Sequence, residues 1–233
     1  MSGPVFHPDV VQGSDEWLAL RLGLLTASEM KLILTPTLKM ASNDKERAHV
    51  YELAAQRISK YVEPHYVSDD MLRGVDDEWE ARRVYAETYE PVETIGFMTN
   101  DRWGFTIGYS PDGLVGEHGL IECKSRRQRF QVQTVIENAA LGTAPAEYMI
   151  QLQTGLLVSE RQWIDFVSYS GGLPMITTRI YPDDVMQAAI IEAASAFEAR
   201  VQKVIDAYFD ALSGSKPVRA VPTERRVEQE MYA

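Results

Sequence analysis

The spacing of apolar positions divides the chain into helical and extended stretches. Ser14-Asp15-Glu16-Trp17 sets a capping side chain ahead of two acids, and Gly23 supplies a stop, which predicts a short helix over residues 14–22. Thr26-Ala27-Ser28-Glu29 fits the capping box S/T-x-x-E and leads into apolar Met30, Leu32, Ile33 and Leu34, a second helix start. Beyond Thr35-Pro36, Asn43 or Asp44 opens a longer helix to Tyr61, with Val50, Leu53, Ala54 and Ile58 on one face. Another helical stretch covers 69–89 and ends before Pro91. The stretches 92–98, 103–110 and 119–124 are then β-branched or aromatic, with Asn-Asp and Gly-rich turns between them, and predict a β-meander. Helical spacing returns over 128–141 and 146–158, followed by strands over 163–169 and 175–181. Pro182-Asp183 begins a long helix to Leu212 whose buried stripe is Val185, Ala188, Ile191, Ala194, Phe197, Val201, Ile205 and Phe209. Ser213-Gly214-Ser215-Lys216-Pro217 ends it and leaves a polar tail.

The order αα-βββ-αα-ββ-α indicates an α/β or α+β fold with a central mixed sheet flanked by helices. With 233 residues, 45% of them hydrophobic, the chain can bury one substantial core, so we expect a single domain over 1–212 and a tail over 213–233. No apolar run approaches the ~20 residues that span a bilayer, and residues 1–12 lack the basic start and apolar middle of a secretory leader, so a cytoplasmic location without membrane partners is expected. The lone cysteine, Cys123, rules out an internal disulfide and any multi-cysteine metal or iron–sulfur site, leaving oxygen or imidazole to hold a metal. A net charge of -11 argues against general coating of nucleic acid, which needs cationic side chains to release phosphate counterions. Any DNA contact must be local. The densest basic run is Lys124-Ser125-Arg126-Arg127-Gln128-Arg129, which by charge alone is equally a solvated face.

Chemistry gathers where two predicted strands meet. Ser110-Pro111-Asp112 closes one, the stretch 113–119 turns, and Ile121-Glu122-Cys123-Lys124 lies in the next. Side chains two apart on a strand share a face, so Glu122 and Lys124 point together and the turn brings Asp112 beside them. Clustered carboxylates raise the folding cost unless a hard cation with oxygen ligands offsets them, and magnesium is the candidate. Asp112 and Glu122 would hold it, the Cys123 carbonyl can add a backbone ligand, and a bound water would be acidified for attack on a phosphodiester. Lys124 can orient that water, assist its deprotonation or neutralise charge on the phosphate; the pattern does not choose. The D-x9-E-x-K spacing alone is weak, because E-x-K on one strand face is commonly a surface ion pair. The Ser-Pro-Asp-Gly turn and the apolar Leu120, Ile121 and Cys123 around Glu122 strengthen it.

Glu78 can add a third carboxylate from the preceding helix, or face solvent within Asp76-Asp77-Glu78. Gln151 can hydrogen-bond a metal water or a phosphate, or sit on a wet helix face. Arg21, with Thr26 and Ser28 at the next helix start, offers an anion site through its guanidinium, free backbone N–H groups and the helix dipole; plain capping by Thr26 is the alternative. Two other function classes remain open from the residues: a non-catalytic DNA-end-binding partner, and a metal-independent hydrolase using Asp112 and Glu122 as an acid–base pair.

Trp17 with Leu20-Arg21-Leu22-Gly23, Thr26-Ala27-Ser28-Glu29, the segment from Gly74 to Glu78, Ser110-Pro111-Asp112-Gly113-Leu114, Glu122-Cys123-Lys124 and Tyr148-Met149-Ile150-Gln151-Leu152-Gln153 follow one another over about residues 14–160. Together they resemble the lambda-exonuclease-like, YqaJ-type viral recombinase nucleases, a branch of the PD-(D/E)xK superfamily. The resemblance implies a restriction-endonuclease-like core and an alkaline-exonuclease-type deoxyribonuclease. It implies that Asp112, Glu122 and the Cys123 carbonyl bind Mg2+, two ions per active site with Mn2+ as a substitute, and that Glu78 supports them. Lys124 and Gln151 would act on the water and scissile phosphate, while Arg21, Thr26 and Ser28 receive a 5′-phosphate. Arg126, Arg127 and Arg129 become candidates for contact with DNA or a neighbouring subunit. Such nucleases degrade one strand of duplex DNA from 5′ to 3′ to mononucleotides, as rings of three, and leave a 3′ overhang for a single-strand annealing protein in phage-type recombination. The cluster cysteines of Cas4-like nucleases are missing here.

Overall fold

Capping fixes the first helices where the sequence placed them. In the computed structural model, which describes residues 3–63, 69–213 and 218–225, the Ser14 side chain accepts a hydrogen bond from the Trp17 N–H and starts a helix. The side chain of Asn43 accepts from the N–H groups of Lys45 and Glu46 and starts another. The chain runs through β1 (Val5–His7), α1 (Asp15–Arg21), β2 (Leu25–Thr26), α2 (Met30–Ile33), α3 (Asp44–Ser59), α4 (Asp69–Thr88), β3 (Val92–Glu93), β4 (Phe97–Asn100), β5 (Ile107–Tyr109), β6 (Gly113–Val115) and β7 (Gly119–Ser125). It continues through α5 (Gln128–Glu137), a 3-10 turn at Ala139–Leu141, α6 (Ala146–Ser159), β8 (Trp163–Tyr169), β9 (Ile176–Ile180) and α7 (Asp184–Ser213).

The fold is α/β, with mixed sheets flanked by helices, but the expected single sheet is two. One has the order β1-β4-β5-β2 and the other β3-β6-β7-β8-β9. The stretch 92–98, expected as one strand, splits between them: β3 pairs with β6 and β4 with β5. At the crossing stands Gly96, where a Cβ would lie 1.9 Å from the carbonyl oxygen of Val10, so only glycine admits the close backbone approach. β5 therefore does not neighbour β7. The antiparallel partner of β7 is β6, which lies in what the sequence showed as a turn and places Gly113 opposite Ile121. On its other edge β7 runs parallel to β8.

Both faces of β7 and β8 are covered, which is why these strands read as nearly continuous apolar runs. On one side α4 packs Ala81 and Tyr85 against Ile121, Cys123 and Val167. On the other, Ile150, Leu152 and Leu156 of α6 join Leu120, Ile164 and Phe166 in the main core. α7 closes that side with Ile190, Ala193, Ala194, Phe197 and Val201, whereas Val185, Ala188 and Phe209, expected in its buried stripe, are exposed. Its 30 residues extend about 45 Å, nearly twice the ~24 Å of the 16-residue α3 it lies along, so the ends outrun the core. The second helix start also differs: Thr26 ends β2, paired in parallel with Gly108, and α2 begins only after Glu29. The Thr26 hydroxyl donates to Glu29 Oε2 at 2.6 Å and is not a cap. Of the polar tail, residues 214–217 and 226–233 lie outside the described residues; Val218 N–H donates back to the Ala211 carbonyl.

Gly155 brings α6 close to β5, since a Cβ there would stand 2.7 Å from Tyr109 Cζ. In a free helix Gly→Ala stabilises by about 1 kcal/mol. Here the ring must move, so Gly155→Ala is expected to destabilise the chain by about 1–2 kcal/mol in urea titration. A higher unfolding midpoint for the variant would contradict this packing.

Candidate active site

Asp112 belongs to a loop that joins the two sheets and is held from several sides. Trp17 Nε1 donates to Ser110 Oγ at 2.9 Å, Gln12 Nε2 to the Pro111 carbonyl at 2.9 Å, and an Arg82 guanidinium nitrogen to the Asp112 carbonyl at 3.3 Å. These bonds suspend the loop between the N-terminal segment and α4, and they turn the Asp112 carboxylate toward β7, where Oδ2 accepts the Cys123 N–H at 2.5 Å. The Cys123 thiol itself is buried against α4, so at the site it is the backbone of this residue that is presented.

Strand alternation sends Glu122 and Lys124 to the α6 side. Glu122, 2% exposed, accepts Lys124 Nζ at 2.7 Å and Gln151 Nε2 at 2.5 Å on Oε1, and the Tyr109 hydroxyl at 2.8 Å on Oε2. Glu78 approaches from α4: it lines, with Arg82, Asp112, Gln12 and Trp17, a cleft of about 540 Å3. Burial and the neighbouring Glu122 push the Asp112 carboxyl well above the usual carboxylate range, with Lys124 opposing. Burial also raises Glu78, again against Lys124 and reinforced by Glu122. Burial alone would lower the Lys124 ammonium, but Glu122, Asp112 and Glu78 outweigh it and hold it above its ordinary value. Tyr109 is pushed upward by burial and by Glu122, which keeps its hydroxyl a donor. Among the described residues no group of three or more His, Cys, Asp or Glu is arranged to hold a metal ion by itself.

Arg21, Thr26 and Ser28 also come together. Arg21 donates to Thr26 Oγ1 at 3.4 Å, Thr26 Oγ1 lies 3.3 Å from Ser28 Oγ, and the guanidinium stacks 4.4 Å over the Trp17 ring. Arg21 and Thr26, with Glu29 and Glu52, line a pocket of about 160 Å3 that shares Trp17 with the acidic cleft. The expected helix-start donors are absent from it, because Glu29 accepts the Thr26 N–H at 3.0 Å and α2 has only four residues. The Arg21 guanidinium and the Thr26 hydroxyl are what remain in the pocket for an anion. Of the basic run, Arg127 and Arg129 are exposed, and Arg129 lies 4.4 Å over the Phe130 ring. Arg126 departs from the expectation of a DNA contact: it is buried, with Glu147, Tyr148 and Thr134 as partners.

The sequence pattern of the YqaJ-like viral recombinase domain matches residues 16–162, which span every group just described from Trp17 to Gln151. Among solved structures, the alkaline exonuclease LHK-Exo from Laribacter hongkongensis is 34% identical over 86% of this chain and 98% of its own, with a TM-score of 0.74. Its complex with dAMP aligns at 35% identity over 84% and 96% of the two chains, with a TM-score of 0.72. The chain belongs to the YqaJ-like viral recombinase family. A phage-related exonuclease from Haemophilus somnus 129PT, 16% identical over 79% of this chain and 96% of its own with a TM-score of 0.56, shares the fold. No curated protein matches.

Within this YqaJ-like domain two site groups escaped the sequence reading. Tyr109 looked like a core strand aromatic, yet a buried tyrosine hydroxyl needs a partner and the acid turn begins right after it. Arg82 follows Glu78 by one helical turn, a spacing that puts both on one face of α4. Because ionised Asp112 is disfavoured in the folded chain, its contribution to stability is present at low pH and lost as pH rises. Asp112→Asn removes that burden while an amide oxygen still accepts the Cys123 N–H. In EDTA at neutral pH the variant should melt roughly 2–4 °C higher, the shift that about 1 kcal/mol produces at this chain length. Calorimetry showing a lower midpoint would mean that the carboxylate is a net stabiliser.

Proposed function

We propose that this chain is a Mg2+-dependent 5′→3′ exonuclease that degrades one strand of linear duplex DNA to mononucleotides. The observation that carries the reading is Glu122 bonded to Lys124, with Asp112 and Glu78 close enough to act on the same ammonium, beside a pocket lined by the Arg21 guanidinium and the Thr26 hydroxyl, with Trp17 as their shared wall. Family membership supports nuclease chemistry, and the related LHK-Exo has been captured with a nucleotide, dAMP.

The donor set suits magnesium. This ion is commonly held by one or two carboxylates together with waters and substrate phosphate, without a full protein cage, and Asp112 and Glu122 offer such hard oxygens. Glu78 and Asp112 resist ionisation beside Glu122, and a bound cation would favour their charged form. Asp112, Glu122 and the Cys123 carbonyl would be its ligands, with Glu78 in support; Mn2+ is a chemically similar substitute, and two ions per site are part of the proposal. A bound divalent ion supplies an acidified water and polarises the phosphate oxygens. Lys124 directs an N–H toward the attacking water or the phosphoryl oxygen, and Gln151 steadies Glu122 and the phosphate. Arg21, Thr26 and Ser28 take the terminal 5′-phosphate and place the next phosphodiester over the acids.

In this reading the domain over 1–212 works in the cytoplasm as a ring of three, with its acidic exterior turned from the duplex and its 3′ overhang passed to a single-strand annealing protein. Among the described residues no helix is long and apolar enough to cross a membrane.

End-labelled duplex DNA tests the central claim. Mg2+ should trigger release of mononucleotides from 5′ ends, excess EDTA should stop it, and Asp112→Asn should abolish it while DNA binding persists; release that continues in EDTA would remove the metal from the mechanism. Arg21→Ala should reduce the preference for 5′-phosphorylated over 5′-hydroxyl ends by about 10–100-fold, the range for losing a charged hydrogen bond. An unchanged ratio between the two substrates would take Arg21 out of the phosphate pocket.

A further inference from the structure

The face of β7 that carries Glu122 and Lys124 continues one step past the strand to Arg126. All three side chains meet α6. Glu122 bonds Gln151, and Arg126 bonds Tyr148 and Glu147, each at 2.7 Å. Tyr148 and Gln151 are three apart on that helix and therefore neighbours on its surface. Arg126 is anchored more firmly than a surface cation: its side chain is 8% exposed, its guanidinium reaches Thr134 Oγ1 at 3.4 Å, and its backbone N–H donates to the Tyr169 carbonyl at 2.7 Å.

The Tyr148 ring is held at two places, by Arg126 at the hydroxyl and by Phe166 stacked at 5.4 Å and 28°. Lys124 Nζ lies 5.7 Å from the centre of the same ring. A lysine stem has four rotatable bonds, and its bond to Glu122 is a single tether, so an amine with a defined task needs a second constraint. An aromatic face supplies one through packing and attraction of the ammonium. Arg126 Nε is buried with no protein partner. An apolar side chain in that space would avoid this penalty, which is intelligible if the guanidinium has a task at Tyr148.

We propose that Tyr148, clamped at its hydroxyl by Arg126, is a positioning residue that holds the Lys124 amine beside Glu122, so that Arg126 serves the reaction from inside the fold and makes no contact with DNA. This rests on the nuclease reading of Lys124. Tyr148 and Arg126 touch neither substrate nor metal; they set where the amine can be.

The test is the steady-state kinetics of nucleotide release from 5′-phosphorylated duplex in Mg2+, with the salt dependence of DNA binding measured alongside. Tyr148→Leu, which removes the ring, should lower kcat by roughly 10–100-fold with KM within about twofold of the wild type, as expected for a misplaced group in a positioned reaction. Tyr148→Phe and Arg126→Gln remove the same hydrogen bond, so each should lower kcat by about three- to tenfold and the double variant no further than either alone. Losses that multiply in the double variant would break the clamp, and Tyr148→Leu at the wild-type kcat would dismiss the ring. If Arg126→Gln raises KM and reduces the salt slope by about one while kcat is retained, Arg126 contacts a phosphate and the proposal is wrong. Should Arg126→Gln not fold, the two variants at half-buried Tyr148 decide, since a merely structural tyrosine would not lose kcat with KM kept, nor lose less of it with phenylalanine than with leucine. A wild-type chain that releases no nucleotide would instead overturn the nuclease reading, and this inference with it.

Discussion

Three carboxyl groups, on Glu78, Asp112 and Glu122, stand around a single ammonium on Lys124, and the cost of burying that excess of negative charge is the constraint to which the neighbouring structure responds. Each acid is restrained by a different element. The Cys123 N–H of β7 holds Asp112, Tyr109 of β5 and Gln151 of α6 hold Glu122, and α4 carries Glu78 with Arg82 one turn later. Like charges left to themselves would separate or take up protons. Here they are kept together because separation would require moving a central strand and two helices packed on opposite faces of the sheet. The site is thus strained electrostatically and supported mechanically, the arrangement expected where function opposes stability.

That support extends to the far side of the sheet. Tyr85 donates to Asp165 at 2.6 Å, and Arg179 grips the same carboxylate with two bonds of 2.8 Å while stacking on Trp163. The network ties α4 to β8 and β9, and so fixes the helix that presents Glu78. It also contains a buried acid, Asp165, yet there the charge is matched by the more exposed Arg179. Contrast between the two faces separates structural from functional polarity: a balanced cluster locks α4, whereas the unbalanced one faces a cleft that can receive a cation and a phosphate.

Local periodicity explains which parts were legible. Glu122 and Lys124 share a face because strand alternation is strict, and Asn43 and Ser14 start helices because side-chain caps satisfy free N–H groups without tertiary help. Gln151 and Glu78 could be placed on helices in the same way, although only packing decides that α6 and α4 bring them to one strand from opposite sides. What the sequence hid was non-local. The break at Gly96 depends on a backbone contact with Val10, far away in the chain, and without it 92–98 is an ordinary strand. Thr26-Ala27-Ser28-Glu29 has the letters of a capping box, and Glu29 does accept the Thr26 N–H, but the chain here is paired with β5, the Ala27 N–H donating to the Gly108 carbonyl, so the helix starts only after Glu29. Arg126 read as one of several basic surface residues because spacing shows the face of a strand, and nothing in a basic run says that Glu147 and Tyr148 wait on that face.

Trp17 bears on how an acidic chain can handle DNA at all. Its indole N–H holds the loop that carries Asp112, and its ring supports the guanidinium of Arg21, so the group that would recognise a chain end and the group that would cut next to it are fixed to one rigid side chain. A protein of net charge -11 gains little from general attraction to phosphate. As the nuclease proposed above, it would rely on a few cations placed where the backbone of the substrate is already committed, one for the terminal phosphate and one for the scissile phosphate. Trp17 ties the Arg21 guanidinium to the loop that carries Asp112, so the spacing between that guanidinium and the acid is a property of the fold, and in the proposed reading it would select which bond is presented. The acidic remainder would then be no obstacle, because repulsion elsewhere would discourage binding in any register that left Arg21 and Lys124 without a phosphate.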